Sequence, residues 1–187
     1  MTKAMLPVFL SVTTPHLPSQ RAILARLEAA LRDHGLAPYS VRHAPVRSVP
    51  PLAAVCEMLS GCVGAVAVAM ARRLIVQGVD FTGGAEERLL VNRYTTTIWS
   101  HVEIALAFQL GLPILLFKED RICSEGLLDL PSSTAQIEVF SLEQPNHAWR
   151  VGMGCLPLFR ERVEEFARAG QSRGRTWESP QFSFCNS

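Results

Sequence analysis

The sequence predicts an α/β domain in which parallel strands alternate with helices. Residues 7–12 and 63–70 are short apolar runs containing β-branched or aromatic side chains, which is the composition of buried strands. Residues 19–34, which lie between them, carry apolar side chains at helical spacing. The 187 residues are 48% hydrophobic and 19% charged, enough for one compact domain with a sizeable core.

The first half of the chain supplies the opening elements. The helix over residues 19–34 ends at Gly35, a residue type common just after a helix. A short second strand is predicted over residues 39–42. The helix predicted over residues 51–59 begins at prolines, whose missing N–H costs little in a first turn. Residues 63–70 read VGAVAVAM and are apolar almost throughout, as expected of a strand covered on both faces.

Residues 72–96 interrupt this alternation. Gly83-Gly84 is a turn signal and no clear hydrophobic period surrounds it, so the sequence predicts a loop or lid with a short helical piece. Residues 80–93 are expected to be among the more mobile ordered parts of the chain. If they form a lid, bound substrate is expected to protect them from hydrogen exchange.

The second half of the chain completes the pattern. The predicted elements are a helix, two strands and a closing amphipathic helix, over residues 98–110, 113–117, 136–140 and 158–169 in turn. The polar tail from Gln171 is expected to be an extended arm or disordered. Residues 1–170 are therefore predicted to form a single domain, and residues 171–187 a C-terminal extension.

Alternating strands and helices imply right-handed crossovers, and hence a flavodoxin-like parallel sheet of about five strands with helices on both faces. In such sheets the functional site lies at the carboxyl ends of the strands, near a switch in strand order. That rule places residues 11–14, residues 70–73 and the segment before Glu103 on one rim of the sheet.

Composition excludes several classes of function. The formal net charge is +1 and the basic residues are scattered, so no nucleic-acid partner is expected. The longest apolar run, residues 63–71, is too short to cross a bilayer, and the N-terminus lacks the pattern of a signal peptide. Five cysteines without a CxxC pair indicate a reducing, cytoplasmic compartment. The apolar surplus and the Leu, Phe and Trp residues of the C-terminal third predict a homo-oligomer.

Common cofactor and metal motifs are absent. The chain has neither the GxGxxG dinucleotide fingerprint nor the GxxxxGK[ST] phosphate loop. His101-Val102-Glu103 has the HxE spacing of zinc deaminases, but the PCxxC that completes their site is missing. No GxSxG elbow supports a serine nucleophile. No metal and no cofactor are therefore predicted.

Glu103 admits two interpretations. Ser100-His101-Val102-Glu103 fits the S-x-x-E capping box, in which Ser100 is the N-cap and Glu103 bonds back to the N-cap amide. The carboxylate is equally a candidate catalytic group, because it lies in an otherwise apolar segment at the predicted rim.

A resemblance to two related groups favours the catalytic interpretation. Residues 8–12, VFLSV, resemble the first strand of Toll/interleukin-1 receptor (TIR) domains, and TIWSHVEIALA resembles their S-x-W-C-x-x-E-L-x-x-A segment. In this comparison Thr97, Trp99, Ser100 and Glu103 stand for the serine, tryptophan, cysteine and glutamate. Residues 103–114 also resemble the E-x-G-x-A…G-K-P stretch of nucleoside 2-deoxyribosyltransferases, although Leu112 replaces the lysine. At Thr97 and Trp99 the chain follows the TIR pattern.

The resemblance implies an N-glycosidase that acts on NAD or a related nucleotide or nucleoside, with NAD as a substrate and Glu103 as the catalytic carboxylate. The implied substrate-binding residues carry hydroxyl, basic or aromatic groups: Ser11, Thr13, Thr14, Arg72, Thr97, Trp99 and Ser100. Arg73 is a further candidate to pair with a pyrophosphate. Two alternatives stay open. One is a TIR-like module that senses a nucleotide without turnover, and the other is a nucleoside hydrolase or 2-deoxyribosyltransferase.

Overall fold

The computed structural model describes residues 5–41, 51–129, 135–143 and 154–171. Seven strands are present in this part of the chain: β1 (Leu6–Val12), β2 (Leu36–Tyr39), β3 (Gly64–Ala69), β4 (Arg73–Asp80), β5 (Arg88–Thr95), β6 (Ile114–Glu119) and β7 (Ala135–Phe140). The helices are α1 (Pro18–Asp33), α2 (Pro51–Ser60), α3 (Ile98–Gln109) and α4 (Leu156–Gln171), with a short 3-10 helix at Gly126–Asp129.

Five strands form one parallel sheet in the order β2-β1-β3-β6-β7. This is the flavodoxin-like arrangement, which confirms the predicted fold class. Apolar residues of α1 and α4 pack on one face of the sheet, and those of α2 and α3 pack on the other. Every residue of β3 and β6 is buried, because these central strands are covered on both sides. The strand order switches between β1 and β3, whose carboxyl ends therefore define the rim for a site.

The second strand starts earlier than its sequence suggests. The prediction placed it over residues 39–42, whereas β2 covers Leu36–Tyr39. Gly35, at φ +71°, ends the turn after α1, so the chain enters the sheet at once. Pro38 argues against a strand at these positions, because proline donates no ladder hydrogen bond. However, β2 is an edge strand, and an edge tolerates such a residue. The predicted tail from Gln171 lies almost wholly outside the described residues.

The largest correction concerns residues 72–96, where the prediction of a loop or lid with a short helical piece was wrong. Strands β4 and β5 pair there as an antiparallel hairpin, from Arg73 opposite Thr95 to Asp80 opposite Arg88. Gly83 takes up φ +75° in the turn that joins them. The strand signal was hidden because apolar side chains occur on both faces of the hairpin, which removes the one-sided alternation of a half-buried strand.

The close packing of β3 against α4 leads to a stability prediction at Gly64. A Cβ added there would lie 2.7 Å from Cγ2 of Val163 and 3.3 Å from Cζ of Phe159. Both side chains are buried, so neither moves aside cheaply. Gly64→Ala is therefore expected to lower the free energy of unfolding by roughly 1–3 kcal/mol, measured by urea denaturation.

Gly78→Ala is the matched control for this prediction. Gly78 is also a strand glycine, but it lies in the exposed hairpin, where the nearest atom to an added Cβ is a side-chain carbon of Ile75 at 3.2 Å. That side chain is only partly buried, so the control is expected to change stability by less than about 1 kcal/mol. Equal midpoints and equal slopes of the urea denaturation curves of the two variants would contradict overpacking at Gly64.

Candidate active site

The N-terminus of α3 is capped by Thr97. Its backbone is extended (ψ 144°), and its side-chain oxygen accepts a 3.3 Å hydrogen bond from the backbone N–H of Trp99. The capping box that assigned Ser100 as the N-cap is therefore wrong, because the helix begins three residues earlier. Ser100 is instead a buried residue inside the first turn, and Glu103 lies in the second turn, beyond the orphan amides that a cap satisfies.

The side chain of Glu103 reaches across to the end of β1. The hydroxyl of Ser11, a buried residue, donates a hydrogen bond to Oε2 of Glu103. Burial raises the pKa of the Glu103 carboxyl above its ordinary value, and the hydrogen bond from Ser11 offsets part of that rise because it stabilises the charged form. The structure thus holds a partly buried carboxyl with an elevated pKa at the rim of the sheet.

Three buried hydroxyls form a cluster beside this pair. Oγ1 of Thr13 lies 2.7 Å from Oγ1 of Thr96 and 3.3 Å from Oγ of Ser100. The same Thr13 oxygen accepts a 3.4 Å hydrogen bond from the backbone N–H of Met70. The cluster joins the ends of β1 and β3 to the start of α3, so the predicted convergence of these segments on one rim is confirmed.

A second buried carboxylate, Glu119 at the end of β6, was missed by sequence reasoning. Its Oε2 accepts hydrogen bonds from the backbone N–H of Ala71 at 2.9 Å and from Nε2 of Gln20 at 3.3 Å. Its Oε1 accepts two from Arg121, one of them from Nε at 2.7 Å. Oε1 of Gln20 in turn accepts from the backbone N–H of His16 at 3.1 Å. The sequence does carry one signal for this residue, which is a carboxylate at the end of a buried apolar strand.

An open recess of about 160 Å³ lies at the base of the hairpin, next to the hydroxyl cluster. Its lining is mixed apolar, hydroxyl and charged: Arg73, Ile75, Thr95, Thr96, Ile98, His101, Ile122, Glu125 and Leu128. Thr96 belongs both to this recess and to the hydroxyl cluster, whereas Glu103 does not line the recess. The recess is therefore linked to the hydroxyl cluster through Thr96, and the Glu103 carboxylate is not part of its lining.

The other predicted substrate-binding residues differ in their exposure to solvent. Thr14 and Arg72 are exposed at the rim, and the backbone N–H of Arg72 donates to the carbonyl of Thr95 at 3.0 Å. Trp99 leaves 47% of its surface in solvent, so it is available for stacking. Thr13 and Ser100 direct their hydroxyls at one another, not at solvent. The substrate-binding roles assigned to these residues stay predictions.

Metal and membrane sites find no support in the described part of the chain. Within residues 5–41, 51–129, 135–143 and 154–171, no three His, Cys, Asp or Glu side chains cluster as metal ligands. No described helix combines the length and apolarity needed to cross a bilayer. The cysteines at positions 56, 62, 123 and 155 are free thiols, and burial raises the pKa of Cys62 to about 12.

Comparison with known proteins yields similarities of structure at low sequence identity. A CMP N-glycosidase of Clostridium botulinum, BcmB, aligns with a TM-score of 0.44 and 12% identity over 78% of this chain and 97% of its own. The TIR domains of the activated Roq1 resistosome align with a TM-score of 0.39 and 13% identity, over 87% and 84%. A diflavin flavoprotein A3 from Nostoc sp. aligns with a TM-score of 0.46 and 14% identity, over 91% and 99%. No family model matches the sequence, and no curated protein matches it.

Proposed function

We propose that this protein is an N-glycosidase that cleaves the N-ribosyl bond of NAD or a related nucleotide, with Glu103 as the catalytic carboxylate. The observation that carries the proposal is the Ser11–Glu103 pair at the carboxyl end of β1. It provides one ionisable carboxyl, fixed in orientation, at the edge where this fold binds ligands. The order of sequence motifs around Glu103 supports the same assignment.

The reaction breaks the bond between C1′ of ribose and a ring nitrogen of the base. The departing base takes the bonding electron pair, which leaves an oxocarbenium-like cation on the ribose. The Glu103 carboxylate stabilises this cation or captures it as an ester, and water then supplies the new C1′ oxygen and loses a proton. Nicotinamide leaves NAD⁺ as a neutral molecule, so the reaction needs no strong general acid.

The two buried carboxylates differ in their availability for this chemistry. Glu119 is fully buried and its two oxygens accept from Ala71, Gln20 and Arg121, which leaves no lone pair directed at a ligand. Glu103 is only partly buried, and Ser11 is its one hydrogen-bond donor among the described residues. No described residue bonds its second oxygen, Oε1, so this oxygen is able to approach a ribose. This contrast favours Glu103 over Glu119 as the catalytic group.

A direct assay tests the proposal. The protein is incubated separately with NAD⁺, nucleosides and nucleoside monophosphates including CMP, and release of the free base is followed by chromatography. Base release from a nucleotide supports the proposal. Base release from nucleosides only would favour the nucleoside hydrolase or transferase alternative. Thermal stabilisation by a nucleotide without any base release would favour the sensing alternative.

The pH dependence of this activity is expected to report Glu103. Only the carboxylate form can stabilise the cation, so activity should rise as pH increases through the elevated pKa of Glu103. The acidic limb of the rate profile is therefore expected above the ordinary range for glutamate.

Ser11→Ala provides the diagnostic variant for that profile. Removal of the hydroxyl takes away the hydrogen bond that lowers the pKa of Glu103. The acidic limb should consequently move to higher pH. Ser60→Ala, a change at an exposed serine whose hydroxyl donates to the carbonyl of Glu57 in its own helix, should leave the limb in place. An unmoved limb in Ser11→Ala would show that another group controls the acidic side.

A further inference from the structure

We propose that the recess at the base of the hairpin binds a small phosphate monoester, with Arg73 and Lys118 as the positive charges that attract its phosphate. Arg73 lines the recess, and Lys118 is a buried cation of the central strand β6. The proposal concerns a second ligand site, so it does not depend on the proposed activity.

The recess and the Glu103 carboxylate belong to opposite flanks of α3. His101 lines the recess, and Glu103 follows it by two residues. With about 3.6 residues per turn, two positions correspond to a rotation of about 200°, so these side chains leave the helix in nearly opposite directions. Glu103 reaches Ser11 of β1, whereas the ring of His101 lies beside Gly126, where an added Cβ would be 3.6 Å from its Nδ1. A ligand in the recess is therefore separate from a ribose held at Glu103.

Lys118 is a buried cation that lacks a countercharge. Only 8% of its surface is exposed, and its Nζ donates a hydrogen bond to the hydroxyl of Ser124. Within the part of the chain that the structure describes, this hydroxyl is its one polar partner, and no carboxylate forms an ion pair with it. A charge removed from water without a countercharge destabilises the folded protein. An anion bound nearby would supply the missing countercharge.

The segment over residues 122–128 places Lys118 next to the recess. Three residues of this segment line the recess: Ile122, Glu125 and Leu128. Ser124, the partner of Lys118, belongs to the same segment. Lys118 and Leu116 lie on one face of β6, and Leu116 packs in the same apolar cluster as Ile122. The charge of Lys118 therefore acts on the recess through apolar side chains, which screen it much less than water does.

The charges around the recess favour an anion. Arg73 lines it with an exposed side chain that has no hydrogen-bond or ion-pair partner among the described residues. Ile98, the first residue of α3, also lines it, so the positive end of that helix dipole is adjacent. The one acidic residue of the lining, Glu125, is exposed, and water and salt screen its charge. The positive charges of Arg73 and Lys118 thus outweigh one screened negative charge.

The rest of the lining defines the kind of anion. Thr95 and His101 offer polar hydrogens, which together with Arg73 suit the three acceptor oxygens of a phosphate ester better than the two of a carboxylate. Four branched aliphatic side chains also line the recess: Ile75, Ile98, Ile122 and Leu128. They provide apolar surface that an organic group can contact and inorganic phosphate cannot. The lining therefore favours a phosphate monoester over free phosphate.

An NMR titration of the isotope-labelled full chain at fixed ionic strength tests the site, with butyl phosphate and inorganic phosphate as probes. Butyl phosphate is expected to bind roughly threefold or more tightly than inorganic phosphate, because its chain contacts the aliphatic side chains. Binding of neither probe at about 20 mM would overturn the proposal. Equal affinities for the two probes would identify free phosphate as the ligand and overturn the monoester.

Charge variants test the assignment to the recess. Arg73→Gln is expected to weaken butyl phosphate binding roughly tenfold. Arg88→Gln, the matched control, removes the same charge at the far end of the hairpin and should change binding less than about twofold. Glu125→Gln should tighten binding, because it removes the negative charge of the lining. Equal effects of Arg73→Gln and Arg88→Gln, or weaker binding by Glu125→Gln, would contradict a phosphate in the recess.

Lys118→Met separates a binding role of this lysine from a structural one. Methionine has a similar length and no charge, so without phosphate the variant should unfold at a higher urea concentration than wild type. It should nevertheless bind butyl phosphate roughly fivefold or more weakly. Unchanged binding would overturn the role of Lys118, and a lower urea midpoint would contradict the missing countercharge. If this variant does not fold, the variants at Arg73 and Glu125, both exposed, retain the test.

Glu103→Gln distinguishes the recess from the Glu103 flank of α3. A phosphate in the recess is expected to bind this variant as it binds the wild type, because the two side chains that mark the flanks point in opposite directions. Tighter binding of butyl phosphate by Glu103→Gln would place the phosphate beside that carboxylate and would overturn the assignment to the recess.

Discussion

Glu103→Gln is expected to retain the fold and to reduce turnover by roughly 100-fold or more. Glutamine has the size of glutamate, and its carbonyl oxygen still accepts the hydrogen bond from Ser11. It cannot carry the negative charge that stabilises a ribosyl cation, nor form an ester with C1′. The rate of base release from a substrate that the wild type turns over, together with urea denaturation, measures both parts of this expectation.

The stability of this variant has a definite dependence on pH. Because the pKa of Glu103 is raised in the folded protein, its neutral form favours folding, and that contribution is lost as pH rises through the raised pKa. Glutamine stays neutral, so the free energy of unfolding of Glu103→Gln should lie within about 1 kcal/mol of the wild-type value at pH 7. Relative to wild type, the variant should be at least as stable at pH 7 as at pH 4. Glu165→Gln, at an exposed position of α4, should retain full turnover. Near-normal turnover in Glu103→Gln would rule out the catalytic assignment.

The largest loss of stability is expected at Glu119. Glu119→Ala removes the acceptor for the backbone N–H of Ala71 and for Nε2 of Gln20, both of which are buried, and it leaves Arg121 without its ion pair. Each of these two buried donors, left without its acceptor, typically costs about 1–3 kcal/mol, whereas the Arg121 side chain is 36% exposed and is solvated by water instead. The free energy of unfolding should fall by that order, as measured by urea denaturation.

Two further variants make this prediction specific. Asp120→Ala removes the adjacent carboxylate, which is exposed, and should change stability by less than about 0.5 kcal/mol. Glu119→Gln keeps one acceptor oxygen and should fall between the alanine variant and the wild type, which preserves a measurement if the alanine variant does not fold. Equal stability of Glu119→Ala and Asp120→Ala would mean that the network contributes little.

The parallel sheet was predictable because its central strands are buried on both faces. Continuous apolar runs such as VGAVAVAM are typical of strands in that environment, and every residue of β3 and β6 is buried. The hairpin was not predictable in the same way. Its side chains face solvent on both sides, so no buried face imposes an alternating pattern on the sequence of β4 and β5.

The candidate site was predictable as a set of segments but not as a set of contacts. The predicted topology brings the end of β1 and the start of α3 to one rim of the sheet, and the structure has this topology. The identity of the N-cap was missed because Thr97 and Ser100 both satisfy its local requirement. The Glu119 network was missed because it joins groups that are far apart in sequence, such as Gln20 and Ala71.

The hairpin is closed at its base, where the backbone N–H of Arg72 donates to the carbonyl of Thr95 at 3.0 Å. The chain therefore enters and leaves the hairpin at the same point of the domain. Loop-closure entropy grows only slowly with length, by about 0.6 kcal/mol per doubling, and pairing within the hairpin compensates for much of its own ordering. The sheet is consequently almost indifferent to how long the hairpin is or what its tip contains. Insertions, deletions and substitutions in the hairpin can therefore change its surface, while β1, β3 and α3 keep Ser11 and Glu103 in place.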